Sequence, residues 1–101
     1  MKARWSQQAR NDLVAIFQFV AKDNPRAARN LLAKLKASER FVLDTPLAGR
    51  VVPEFQVANI RERILPPYRV IYQVQLHAVL FLTVIHSRQH LESIGKQSIE
   101  P

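Results

Sequence analysis

The sequence predicts an α+β domain in which an N-terminal helical hairpin packs on a small, three- to four-stranded antiparallel sheet. Three observations predict it. Apolar residues recur at helical spacing through the first half of the chain. After Gly49 the period falls to two, and β-branched and aromatic residues become frequent. The connections between these later segments are too short for anything but hairpins. Helices first and strands afterwards define the class. With 101 residues, no repeats and no linker-like stretch, residues 1–101 read as one domain.

A short strand around Lys2 to Trp5 leads to Ser6, a good helix N-cap. Ala9, Leu13, Ile16, Phe17 and Val20 then share one face of a helix from Gln7 to about Lys22. Asp23-Asn24-Pro25 stops that helix and opens the next, with Asn24 as cap and Pro25 near the first helical position. Ala28, Leu31, Leu32, Leu35 and Val42 carry the stripe to about Leu43, and Asp44-Thr45-Pro46 closes it. Residues 49–53 are a candidate edge strand. Further strands are expected over Ile60 to Leu65, Tyr68 to Val74 and Ala78 to His86. The three-residue connection Gln75-Leu76-His77 forces the last two to be antiparallel. Between the first two lies Pro66-Pro67, for which a trans bond is the default. The sequence of Leu91 to Pro101 suits a short helix or a tail equally.

Within the strand 68–74, Tyr68, Val70, Tyr72 and Val74 form one apolar face, while Arg69 points the other way with Ile71 and Gln73. A charge in that position needs water, a partner or a task. Glu62 on the neighbouring strand is the expected partner, in a cross-strand ion pair that also orders the sheet. Left exposed, such a pair contributes only about 0–1 kcal/mol. The face bearing Arg69 is expected to be partly open, with Arg61 and Arg63 also within reach of it or its edge.

The composition narrows the functional classes. A formal charge of +7 favours an anionic partner: nucleic acid, a nucleoprotein machine or an acidic protein. Residues 1–45 hold nine Lys/Arg against four Asp/Glu, a net of +5, and residues 46–101 hold six against four, a net of +2. The simplest reading of the first half is a solvated basic helix face. The chain has no cysteine, which removes disulfides and thiolate metal sites and agrees with a reducing cytoplasm. No apolar run approaches the ~20 residues of a membrane span, and the first ten residues lack the apolar core of a secretory signal. Nothing in the sequence calls for a metal or a cofactor.

The stretches RWSQQARNDLVAIFQFV, GRVVPE, IRERILPPYRVIYQV and VIHSRQHL occur in the order found in the RelE/ParE superfamily, and the chain resembles it from residue 3 to about 92. These are toxins of bacterial type II toxin–antitoxin systems. The resemblance implies the same fold, a helical hairpin against a small antiparallel sheet. It leaves two activities open, because RelE-like members cut mRNA in the ribosomal A site whereas ParE-like members poison DNA gyrase. A shared scaffold cannot decide between them.

RNA cleavage at the 2′-hydroxyl needs a base, an acid and cations that stabilise the phosphorane. In RelE-like nucleases these roles fall to lysines and an arginine on the second sheet strand and its neighbour, an arginine after the last strand, and a tyrosine beyond it. By resemblance Arg69 and Arg88 match the two arginines, which both branches retain. The strand Ile60 to Leu65 has no lysine, Glu62 stands at one of the lysine positions, and Ile94 falls where the tyrosine belongs. If the chain were a nuclease, Arg69, Arg88, Glu62 and His86 (or His90) would have to carry the chemistry. A half-buried His86 at a strand end and turn-borne His77 and His90 have simpler structural readings.

The resemblance also implies partners. The first is a cognate antitoxin that wraps the toxin, and operator DNA would be met only through it. DNA gyrase is the expected target, with the ribosome and its mRNA as the alternative. A third reading is a non-toxic relative that only binds its antitoxin. No membrane partner is expected. Arg61, Arg63, Arg69 and Arg88 are candidates for a basic contact edge, and Leu76 at a hairpin tip is a candidate exposed apolar contact. Phe17, Val20, Leu31, Leu35 and Phe41 are candidate anchors along the hairpin. The arrangement IRE…YRVIY…HSR looks closer to the ParE branch.

Overall fold

The structure is a computed structural model that describes residues 1–89. His90 and the stretch 91–101, which suits helix or tail by sequence, lie outside the described residues. The chain order is β1 (Lys2–Trp5), α1 (Gln7–Ala21), α2 (Pro25–Asp44), β2 (Arg50–Val51), β3 (Ile60–Leu65), β4 (Tyr68–Val74) and β5 (Ala78–His86). Both predicted caps operate. Ser6 Oγ accepts the Ala9 amide and Asn24 Oδ1 accepts the Ala27 amide, each at 3.0 Å. Thr45 ends α2 by donating its amide and hydroxyl to the Phe41 carbonyl, and Pro46 comes next.

The sheet is larger than predicted and is mixed. Five strands lie in the order β1-β5-β4-β3-β2, antiparallel except that β1 runs parallel to β5, with Lys2 opposite Ala78 and Trp5 opposite Phe81. Periodicity reports that a segment is a strand but not which way its neighbour runs. Because β3 occupies the far side of β4, the free edge of β5 is where the first strand pairs. The candidate edge strand shortens to Arg50–Val51, since Pro53 has no amide for the ladder. The β3–β4 connection is Pro66-Pro67, and its peptide bond is cis, contrary to the expected trans. This two-residue connection brings Leu65 opposite Tyr68.

Two apolar layers flank the sheet. Toward the helices, Tyr68, Val70 and Tyr72 pack with Val79, Phe81, Val84, Ala9, Leu35 and Val42, as the alternation predicts. On the reverse face, the segment after β2 folds back so that Val52, Phe55 and Ile60 cover Ile71, Leu82 and Ile85. The reverse face is therefore only half open. A register shift between β4 and β5 sets Ile71 opposite Thr83 and Tyr72 opposite Phe81, leaving Leu82 without an opposite residue. Asp12 of α1 fills the irregularity: its Oδ2 accepts both the Thr83 hydroxyl and the Val84 amide.

Candidate functional site

Arg69 is the centre of an ion network on the reverse face of the sheet. Its Nε donates to Glu62 Oε1 at 2.6 Å, and Nη1 and Nη2 fork onto the two oxygens of Glu54 at 2.8 and 2.9 Å. The far oxygen of Glu62 accepts Nε of Arg50 at 2.6 Å and also meets its Nη2. Strand register explains the Arg69–Glu62 contact. Glu62 lies opposite Ile71 and Arg69 opposite Ile64, so the two side chains share a face as diagonal neighbours. Glu54 arrives from the turn beyond Pro53, on the segment that covers this face.

The pair is buried rather than superficial. The Glu62 side chain is 0% exposed and that of Arg69 9%. Hydrogen bonds to Glu54 and Glu62 push the Arg69 guanidinium above its ordinary range against the opposing effect of burial, so it stays charged. Two guanidinium groups face two carboxylates, and the network is neutral. A shallow, open depression of about 700 Å³ lies over it, lined by Arg50, Pro53, Glu54, Ile64, Arg69, Ser87 and Gln89.

The remaining sequence candidates stand elsewhere. Arg61 and Arg63 alternate to the helix side of β3 and do not join Arg69 in a single basic edge. Arg61 ties down backbone, donating Nε to the Ala58 carbonyl (2.9 Å) and Nη1 to those of Leu47 (3.1 Å) and Gly49 (3.0 Å). Arg63 lays its guanidinium over the Phe41 ring, 3.6 Å from the centroid, and its Nε is buried without a hydrogen bond among the described residues. His86 lies opposite Tyr68, on the face away from Glu62 and Arg69. Its ring meets Tyr68 edge-on at 5.7 Å, and Nδ1 accepts the Arg88 amide at 3.2 Å. Arg88 is exposed, next to two residues that line the depression. Leu76 is 85% exposed at the hairpin tip. Of the nuclease candidates within the described residues, Arg69 and Glu62 neutralise one another, and Arg88 meets His86 only through its backbone amide, away from that pair. Arg50 and Glu54 were not singled out from the sequence, although both belong to the GRVVPE stretch.

A second feature runs along the helical hairpin. Trp5, Leu13, Val14, Leu32, Lys36 and Glu39 line a groove of about 430 Å³, which continues past Phe17 and Gln18. Trp5 closes one end, stacked on Phe81 at 4.3 Å and donating its indole N–H to Glu39 at 2.8 Å. Phe17, Val20 and Leu31 are half-buried and Phe41 is 40% exposed, but Leu35 is wholly buried and cannot serve as a partner anchor. Among the described residues no helix is long and apolar enough to cross a membrane, and no group of three or more His, Asp or Glu could hold a metal ion.

The fold is similar to that of the chromosomal ParDE toxin–antitoxin system of P. aeruginosa, with a TM-score of 0.70 at 20% identity, covering 85% of this chain and 95% of the other. It is also similar to a chain of the RelBE2 toxin–antitoxin complex of Mycobacterium tuberculosis, with a TM-score of 0.59 at 24% identity, covering 84% and 95%. In sequence, the chain is 29% identical over 90 residues to "Putative toxin Y4kP" of Sinorhizobium fredii (strain NBRC 101917 / NGR234), which spans 87% of this chain and 90% of that protein. Residues 3–91 match the family described as ParE toxin of type II toxin-antitoxin system, parDE, and the chain belongs to that family.

Proposed function

We propose that this chain arrests growth by binding DNA gyrase, performs no chemistry of its own, and is neutralised by a cognate antitoxin. The observation that carries this reading is the closed network around Arg69. A ribonuclease site must present free positive charge to a phosphorane and an acid–base pair to its oxygens. Here the one strand arginine suited to that task is held by two carboxylates, and β3 offers Glu62 where a nuclease of this superfamily would offer lysine. His86, the acid that a nuclease reading would need, faces the other way.

The antitoxin reading is supported by the groove along α1 and α2. Its apolar floor of Leu13, Val14, Phe17 and Leu32 suits a segment that folds as it binds. Leu76 and Arg88, both exposed, are the further contact candidates.

The test is pulse labelling of DNA and protein synthesis just after the chain is induced in cells without its antitoxin. Gyrase poisoning predicts that DNA synthesis falls first while translation continues. Early collapse of translation would replace this reading with that of a ribosome-dependent mRNA endoribonuclease. Unimpaired growth would make the chain a non-toxic antitoxin binder.

A further inference from the structure

The outward face of α2 carries a row of cations, of which only Lys36 also borders the groove. At 100° per residue, Arg26, Arg29, Lys36 and Arg40 fall within an arc of about 80° and extend over about 21 Å of helix. Asn30, Ala33 and Ala37 fill the spaces among them, and all seven residues are exposed or half-exposed. Among the described residues only Arg40 has an ion pair, with Asp44 at 3.5 Å at the end of the row, where both side chains are largely solvated.

The first charge of the row works against the helix that bears it. Arg26 sits in the first turn, where the macrodipole is positive, and no acidic residue stands in that turn to offset it. The last turn, where the macrodipole favours cations, holds none. An external anion laid along the row would relieve this arrangement.

The chemistry of the face selects the anion. A protein partner needs large apolar or aromatic anchors, and these seven residues include none. Single-stranded nucleic acid needs rings for its bases to stack on, and again there are none. Cations, an amide donor and alanines that let a backbone come close match the sugar–phosphate backbone of a duplex. We infer that the Arg26–Arg29–Lys36–Arg40 face of α2 binds the phosphate backbone of double-stranded DNA without regard to sequence. Phosphates bridging these side chains would seat the protein on DNA whatever its protein target is.

The test measures fluorescence anisotropy of labelled 20-base-pair duplexes of two unrelated sequences, titrated with the full chain over a range of salt concentrations. Four backbone contacts predict equal binding to both sequences and a slope of about 3–4 in log affinity against log salt. Arg29→Gln/Lys36→Gln should weaken binding at least tenfold and lower the slope by about 2. Lys2→Gln/Arg4→Gln removes the same charge from β1 and should change binding less than twofold. Both variants alter exposed side chains, and circular dichroism melting checks that each folds; if the first does not, the single variants take its place. Equal weakening by the two double variants would overturn the inference in favour of bulk charge. Tighter binding of single-stranded DNA or RNA, or equal competition by polyglutamate, would overturn the choice of duplex DNA. An absence of salt-dependent binding would overturn both.

Discussion

Glu62 and Arg69 sit diagonally across β3 and β4 and are joined by a 2.6 Å hydrogen bond inside the protein, with the Glu62 side chain wholly buried. A buried pair of this kind differs from a surface one mainly in the penalty for losing only one of its members. Glu62→Ala would leave Arg69 charged and only half satisfied, and is expected to lower stability by about 3–5 kcal/mol. Glu62→Leu/Arg69→Met removes both charges, at the cost of the Arg69 fork onto Glu54, and should recover part of that loss. Urea unfolding of the three variants measures it; a double variant no more stable than Glu62→Ala would show that the contact is worth more than the cost of burying it.

Gly49 is fixed by space. A Cβ built there would lie 2.0 Å from the Tyr72 hydroxyl and 2.8 Å from the Glu62 carbonyl oxygen. Tyr72 is wholly buried and cannot swing aside, so Gly49→Ala should destabilise by about 1–3 kcal/mol. Gly49→Ala/Tyr72→Phe, which removes the nearest atom, should restore part of this in thermal melts.

The same tyrosine gives the fold an alkaline limit. Burial is the main reason that the Tyr72 hydroxyl is pushed above its ordinary value near 10. The folded protein therefore keeps a proton that the unfolded chain releases. The corresponding stability is present below about pH 10 and is lost as pH rises through the folded value. Tyr72→Phe, at the cost of the 3.2 Å hydrogen bond to the Pro46 carbonyl, should flatten the decline of unfolding free energy above pH 10. Parallel curves for the two proteins would assign the decline to other groups.

Asp12 is expected to matter more than its place on a helix suggests. Asp12→Ala would unpair the Val84 amide and the Thr83 hydroxyl where the β4–β5 register shifts, costing about 1.5–3 kcal/mol for the charged bonds. Hydrogen exchange at Val84 should accelerate by more than the global loss of stability explains.

Most of the fold was legible because it rests on local signals: Ser6 and Asn24 as caps, the helical stripe from Ala9 to Val42, and the alternation from Tyr68 to Val74. Two features were not. The parallel pairing of β1 depends on which sheet edge is free, a property of the assembled topology. The sharing of Arg69 between Glu62 and Glu54 depends on an irregular segment whose path has no period to read. Glu62 could be found because strand register is arithmetic, whereas Glu54 arrives through a turn. Alternation did predict opposite directions for Arg69 and its neighbour Val70. Applied equally to Arg61 and Arg63, it would have placed them on the helix side from the outset.

The pairing of β1 with β5 joins the earliest strand to the latest, with Lys2 beside Ala78. During synthesis the first strand has no neighbour until residues 78–86 exist, so α1 and α2 are made long before the layer they rest on is complete. Tight packing of Trp5 on Phe81 and the Ser6 link to the Leu82 carbonyl come last for the same reason. A nascent chain of this kind cannot acquire its finished surface piecemeal. A partner that reads that surface meets it only after residues 78–86 have been made.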